Sequence, residues 1–365
     1  MKSLLVAFFL LFAISINAAT YYVSPSGTNT TCTNASNVNT PAGPKLQFVM
    51  GCMVGGDTLI ARGGNYEEPL HKPGFNGFFP SGTVATPTVF KTYPGEKPVM
   101  KSTPSPWGSV FEFSDNVSYI TFDGINFDGY VAPEYRGFAH EYVPIKIGMG
   151  SHHIRITNGE VKNLPDGWFS SNTGNDNEVS NMVIYDGFPA SAYLSGGTGC
   201  GQAVCWGYPF YWNGLRNKIL RNHMYNFQSW GVHLYCSGPG YCNYPTETLV
   251  QDNNIHDYGY GDPSRANGIL VSQGNANQVI TNAVWNKKAT ALEIGIGTAA
   301  TNTIVQGNTF VAPPTTQPPP VTPPVPAPVT NWVDIRTDKT VTITGNSITI
   351  PKDKNTNIIV NGSKR

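Results

Sequence analysis

Lys146, His233, Tyr235 and Arg265 are the residue types that β-elimination on a uronic acid requires. That chemistry needs a cation to neutralise the sugar carboxylate, a base to remove the neighbouring proton and an acid to reach the leaving oxygen. Lys or Arg suits the first role, His, Lys, Arg or Tyr the second, and Tyr the third. Pro144-Ile-Lys-Ile-Gly148 and Gly231-Val-His-Leu-Tyr235 alternate apolar and polar residues, and side chains alternate between faces along a strand. Lys146, His233 and Tyr235 are therefore expected to face outward, with Arg265 on an irregular segment one repeat later. Trp206, Tyr211, Trp212 and Tyr260 lie in neighbouring aromatic stretches and are candidate substrate-binding residues, since a ring paired with polar groups suits a sugar. Asp257 and Asp262 are candidate calcium ligands, carboxylates beside turn carbonyls being what that ion takes. His152-His153 has the look of a metal pair, but strand neighbours point to opposite faces, so shared coordination is not expected. His256, in an Asn-x-Ile-His-Asp turn, is expected to be structural. The alternative to a lyase is a non-catalytic glycan- or surface-binding protein, which a flat aromatic strip without convergent ionisable groups would mark.

The elements that must position these residues repeat. Short apolar runs, each followed by an Asn- or Gly-bearing turn and a second run, recur at Asn116–Phe127, His153–Val161, Asn217–Met224, Thr248–Ile255, Asn277–Val284, Asn302–Phe310 and Val341–Ile348. A period of roughly 20–35 residues signals a solenoid or propeller. No intervening segment has the length and periodicity of a helix, so each unit is about three short strands that bury their apolar faces on the units before and after. Parallel strands elsewhere need helical crossovers. The sequence thus predicts an all-β, right-handed parallel β-helix of about ten coils. Asn at the turns fits, because stacked Asn side chains bond in ladders and Asn tolerates left-handed geometry. Residues 28–54, polar and then weakly helical around Lys45 to Met53, are expected to cap the N-terminal end.

Met1-Lys2, an apolar run from Leu4 to Ile16 and then Asn17-Ala-Ala19 predict a secretory signal peptide over residues 1–18. The run is short for a membrane span, and residues 19–365 are expected to form one soluble, extracellular, monomeric β-helix domain. Net charge is zero, with 13% charged residues, which gives no field to attract nucleic acid. The expected partner is an extracellular polysaccharide, with neither nucleic acid nor membrane. Six cysteines in an oxidising compartment imply disulfides, and spacing favours Cys32–Cys52, Cys200–Cys205 and Cys236–Cys242. Residues 312–328 hold nine prolines, which cannot join a ladder. They are read as an extended loop inserted before the last coil. Asn29, Asn34, Asn116 and Asn361 head glycosylation sequons.

Several segments resemble the coils of secreted right-handed parallel β-helix proteins of the pectin-lyase-like superfamily. They are Tyr21-Tyr-Val-Ser-Pro-Ser-Gly27, Gly56-Asp-Thr-Leu-Ile-Ala-Arg-Gly-Gly-Asn-Tyr66, Pro87–Glu96, Tyr119–Phe127, Asn254–Gly259 and Gly268–Gly274. The resemblance spans nearly the whole chain after the leader and implies the fold. It does not select an activity, because lyases, hydrolases, epimerases and adhesins share the scaffold. The polygalacturonase-type segments (Asn-Thr-Asp, Asp-Asp, Gly-His-Gly, Arg-Ile-Lys) are missing, as is the carboxylate pair of glycoside hydrolysis. Gly259-Tyr-Gly-Asp-Pro263 resembles an alginate-epimerase motif, with Ser264 where that motif has His.

Overall fold

The computed structural model describes residues 18–28, 31–43, 45–67, 79–101, 111–113, 116–129, 145–148, 150–163, 169–187, 208–227, 229–236, 242–258, 267–285, 290–311, 331–335, 341–349, 357–360 and 363–364. The chain winds through three sheets in turn. The first has eleven strands, from Thr20–Val23 to Val341–Thr344, and the second ten, from Gly64–Glu67 to Ser347–Thr349. The third has ten, from Phe111–Phe113 to Ser363–Lys364. Within each sheet every strand pairs in parallel with its counterpart one coil away, as Lys218–Leu220 pairs with Glu178–Ser180 and Leu249–Gln251. The exception is the antiparallel pair Asn357–Val360 and Ser363–Lys364. This is a parallel β-helix. Among the described residues the only helices are Cys32–Ala35 and Leu46–Met50, and none is long and apolar enough to cross a membrane.

Period-two alternation turns each strand's apolar residues inward, and stacking lines them up. One interior column runs Leu59, Phe90, Phe122, Ile156, Val179, Ile219, Val250, Val279 and Val305, all fully buried. Phe90 and Phe122 stack face to face with centroids 4.6 Å apart. A second column runs from Tyr66 through Met100, Phe127, Val161, Ile184, Met224, Ile255 and Val284 to Phe310.

At the turn from the first sheet to the second, Asn222, Asn253, Asn282 and Asn308 are all buried. Each side-chain carbonyl accepts from the backbone of the preceding coil: Met182 N–H to Asn222, Asn222 N–H to Asn253, Asn253 N–H to Asn282, at 2.9–3.0 Å. The amides also bond one another, Asn253 Nδ2 donating to Asn282 Oδ1 and Asn282 Nδ2 to Asn308 Oδ1, both at 2.9 Å. The left-handed residues at this turn are not these asparagines but their predecessors, Arg221, Asp252 and Thr281, with φ of 53–56°. The position therefore selects Asn for its two-ended amide rather than for its backbone tolerance.

Cys32–Cys52 and Cys236–Cys242 are bonded, with Cα atoms 5.4 and 5.7 Å apart. Cys200 and Cys205, the leader and the proline tract lie outside the described residues. Near the N-terminal end Arg62 holds Glu96, its Nε and Nη2 donating at 2.9 and 2.6 Å while Gly63 N–H adds a third bond at 2.6 Å.

Two outcomes are expected from this frame. Asn282→Ala removes the acceptor for Asn253 and the donor for Val250 O, and each buried group left unpaired costs about 1–3 kcal/mol. Denaturant unfolding should show a loss of about 3 kcal/mol or more; a loss below about 1 kcal/mol would show that the ladder contributes little. The second concerns Glu96, whose carboxyl is held below its ordinary value of 4.5 by the Arg62 hydrogen bonds and then the Gly63 N–H. A depressed folded value means that stability is present above the unfolded value and fades as pH falls through the folded one. Glu96→Gln should therefore be less stable than the parent at neutral pH, with the gap closing below about pH 4. An acid titration in which the gap persists would refute the assignment.

Candidate functional site

Register on the third sheet sets Glu112, Lys146, Ser170, Tyr211, His233, Leu270, Glu293 and Asp334 in one column. Ile145 and Ile147 face inward and Lys146 outward, as the alternation requires. Lys146 stands three rungs from His233, which at about 4.8 Å per rung is about 14 Å. The two share a face but cannot touch the same sugar. Arg265, Trp206, Tyr260 and Asp262 lie outside the described residues.

Around His233 the outer face is a cluster of rings. Tyr211 meets His233 edge-on at 5.1 Å and Tyr235 at 5.7 Å, while His233 and Tyr235 stack at 5.1 Å. Trp230 packs on His233 at 4.3 Å. His233 Nε2 lies 2.8 Å from Ser272 Oγ, on the next coil. Trp230, Tyr208 and Leu270 form a small buried cluster with Tyr211 packed against it. Although His233 points away from the β-helix interior, only 6% of it is exposed. Burial, and then Tyr235, push the Tyr211 phenol well above its ordinary value, so it stays a neutral hydrogen-bond donor. The chemistry this set can support is proton transfer at an imidazole flanked by phenols.

One candidate is corrected. Trp212 is fully buried and faces the β-helix interior against Phe169 and Phe210, because Phe210 and Trp212 share the inward phase and leave only Tyr211 outside. It cannot stack a sugar. The reading of His152-His153 is corrected as well. His153 is left-handed, with φ 56°, which breaks the strand alternation and turns both rings to one side. Their Nδ1 atoms are 2.8 Å apart, and Tyr119, also left-handed, stacks on His153 at 4.5 Å.

The outer face of the second sheet carries a feature missed in the sequence. Tyr185, Tyr225, His256 and Trp285 occupy one column and stack nearly parallel, at 5.2, 5.3 and 4.1 Å between centroids. Each stands three residues after the turn position held by Met182, Asn222, Asn253 or Asn282, so aligning the repeats on that position would have found them. Beside the column, His223 Nε2 lies 2.7 Å from His256 Nε2, and His256 Nδ1 lies 2.9 Å from Asp257 Oδ2. Burial and then His256 lower the His223 imidazole from its ordinary value. At the other end Tyr185 OH donates to Glu160. His256 thus bonds through both ring nitrogens, and Asp257 spends its carboxylate on a histidine. Among the described residues no group of three or more His, Cys, Asp or Glu is arranged around a cation.

Neither a protein-family model nor a curated protein sequence matches the chain. Solved structures do. A rhamnogalacturonan lyase superposes with a TM-score of 0.59 at 12% identity, covering 91% of this chain and 87% of its own. The shared fold is the parallel β-helix. A protein described as a glycoside hydrolase gives 0.55 at 10% identity over 92% and 98% of the two chains. An alginate lyase from Paenibacillus gives 0.51 at 15% identity over 85% and 94%. At these identities the likeness is one of architecture.

Proposed function

We propose that the protein is a secreted, carbohydrate-active β-helix protein that cleaves an acidic, uronate-containing glycan by β-elimination. The observation that carries this reading is the convergence of Tyr211, His233 and Tyr235, ring against ring at 5.1–5.7 Å, on one outer face. His233 takes the proton from the carbon next to the carboxylate. The electron pair left behind forms the ring double bond as the bond to the glycosidic oxygen breaks, and Tyr235 supplies the proton that oxygen needs. Arg265 neutralises the carboxylate of the reacting sugar, and Lys146, three rungs away, holds a carboxylate further along the chain. The bonded cysteines and the lyase-type scaffold are consistent with an extracellular site of action.

A second reading, a non-catalytic glycan-binding protein, is favoured by the burial of His233, which is only 6% exposed. The two are separated by incubating the protein with a panel of uronate polymers, with and without calcium, and following the absorbance of unsaturated products. The lyase reading expects product from at least one polymer, and His233→Ala should cut turnover about a hundredfold or more while leaving the circular dichroism unchanged. No product from any polymer, or a His233→Ala protein of full activity, would overturn it. Retained binding to an immobilised glycan would then support the second reading.

A further inference from the structure

His223 and His256 sit on adjacent coils of the second sheet, and their outward rings meet at the two Nε2 atoms, 2.7 Å apart. Asp257 follows His256 in sequence and would face the other way on a regular strand. Its φ of 50° turns it back, and its carboxylate accepts from His256 Nδ1 at 2.9 Å. A carboxylate only accepts, so this bond places a proton of His256 on Nδ1 and lets its Nε2 lone pair accept from the Nε2–H of His223. The same pattern orients histidines that bind metals, which donate their second ring N–H to a carboxylate. The surroundings suit an ion that water also ligates: Val183 and Asn254, the column neighbours of His223, are both exposed.

We propose that His223 and His256 form a two-histidine site for a divalent transition-metal ion, with Asp257 positioning His256. Ligands at about 2.0–2.1 Å from such an ion lie about 2.8–3.4 Å from each other when adjacent in its coordination shell. The observed separation, 2.7 Å, falls just short of that range, so a small rotation that parts the rings admits the ion. His223 need only move its single proton from Nε2 to Nδ1, and no other group has to change its protonation. Two imidazoles with oxygen ligands from water favour Cu(II), which also heads the affinity order for such donors. Calcium and magnesium, which prefer oxygen cages, do not compete. The site lies on a different sheet from His233 and stands whether or not the protein cleaves glycan.

Trp285 makes the site readable, since its ring stacks on His256 with centroids 4.1 Å apart and bound Cu(II) quenches a neighbouring indole. The test is titration of the whole protein with copper sulfate, following tryptophan fluorescence and the electron paramagnetic resonance spectrum. The expected result is one copper with the nitrogen couplings of two imidazoles, and a quench that Trp285→Phe largely removes. His223→Gln and His256→Gln, which keep the bulk of the rings, should each weaken binding a hundredfold or more. Asp257→Asn should weaken it about 10–100-fold and keep the two-nitrogen spectrum, the usual scale for a residue that orients a ligand. His152→Gln with His153→Gln removes the other close histidine pair among the described residues and should leave the quench intact. Copper bound equally well by the His223 and His256 variants, or a quench abolished by changing His152 and His153 instead, would overturn the assignment.

Discussion

The hydrogen bond from each coil's backbone to the next coil's asparagine is the constraint on which the rest depends. A β-helix has no closed core; every coil is held only by its neighbours. Backbone ladders between parallel strands fix the spacing of coils but say little about which residue of one coil sits over which residue of the next. The buried asparagines settle that. Asn253 and Asn282 each accept from the preceding coil and donate to the following one, so a slip by one residue would leave several buried amides unpaired at once, each costing about 1–3 kcal/mol. With that register fixed, valine lies on valine along the interior and ring on ring outside.

Once register is fixed, what a side chain faces is decided by strand phase and by where left-handed residues interrupt it. Phase alone places Ile145 and Ile147 inside and Lys146 outside. It puts Trp212 inside for the same reason, and the sequence reading failed there only because it took aromatic density as a sign of exposure. Left-handed residues are harder to see. Asp257, His153 and Tyr119 have φ of 50–56°, which only Gly and a few polar residues adopt readily. Nothing in a single sequence marks those positions as departures from the strand. The consequence is chemical: without that turn Asp257 would not reach His256, and His152 and His153 would not meet.

The solenoid, its interior and two of its disulfides were legible because they follow from periodicity and spacing, which a sequence carries directly. The surface columns were not, because each is assembled from residues some 23–40 positions apart, one per coil, and is visible only once the turn asparagines are superposed. Tyr185, Tyr225, His256 and Trp285 share no local motif beyond standing three places after the turn. His233 was read correctly as outward, yet outward is not the same as exposed: Trp230, three residues before it, and Tyr211, one coil away, cover it.

The contrast between the two decorated faces bears on where chemistry lies. Column-wise stacking rewards like on like: the interior columns are apolar from end to end, and the second sheet places four aromatic rings in succession. The third sheet's register instead brings unlike residues into succession, Tyr211, His233 and Leu270 following one another on adjacent coils. There the contacts are between unlike rings, Tyr211 meeting His233 edge-on at 5.1 Å with Trp230 against it at 4.3 Å. The second sheet's stacked rings turn their faces to each other and only their edges to solvent, which suits a local ligand at the histidine pair better than a sugar chain along the whole column.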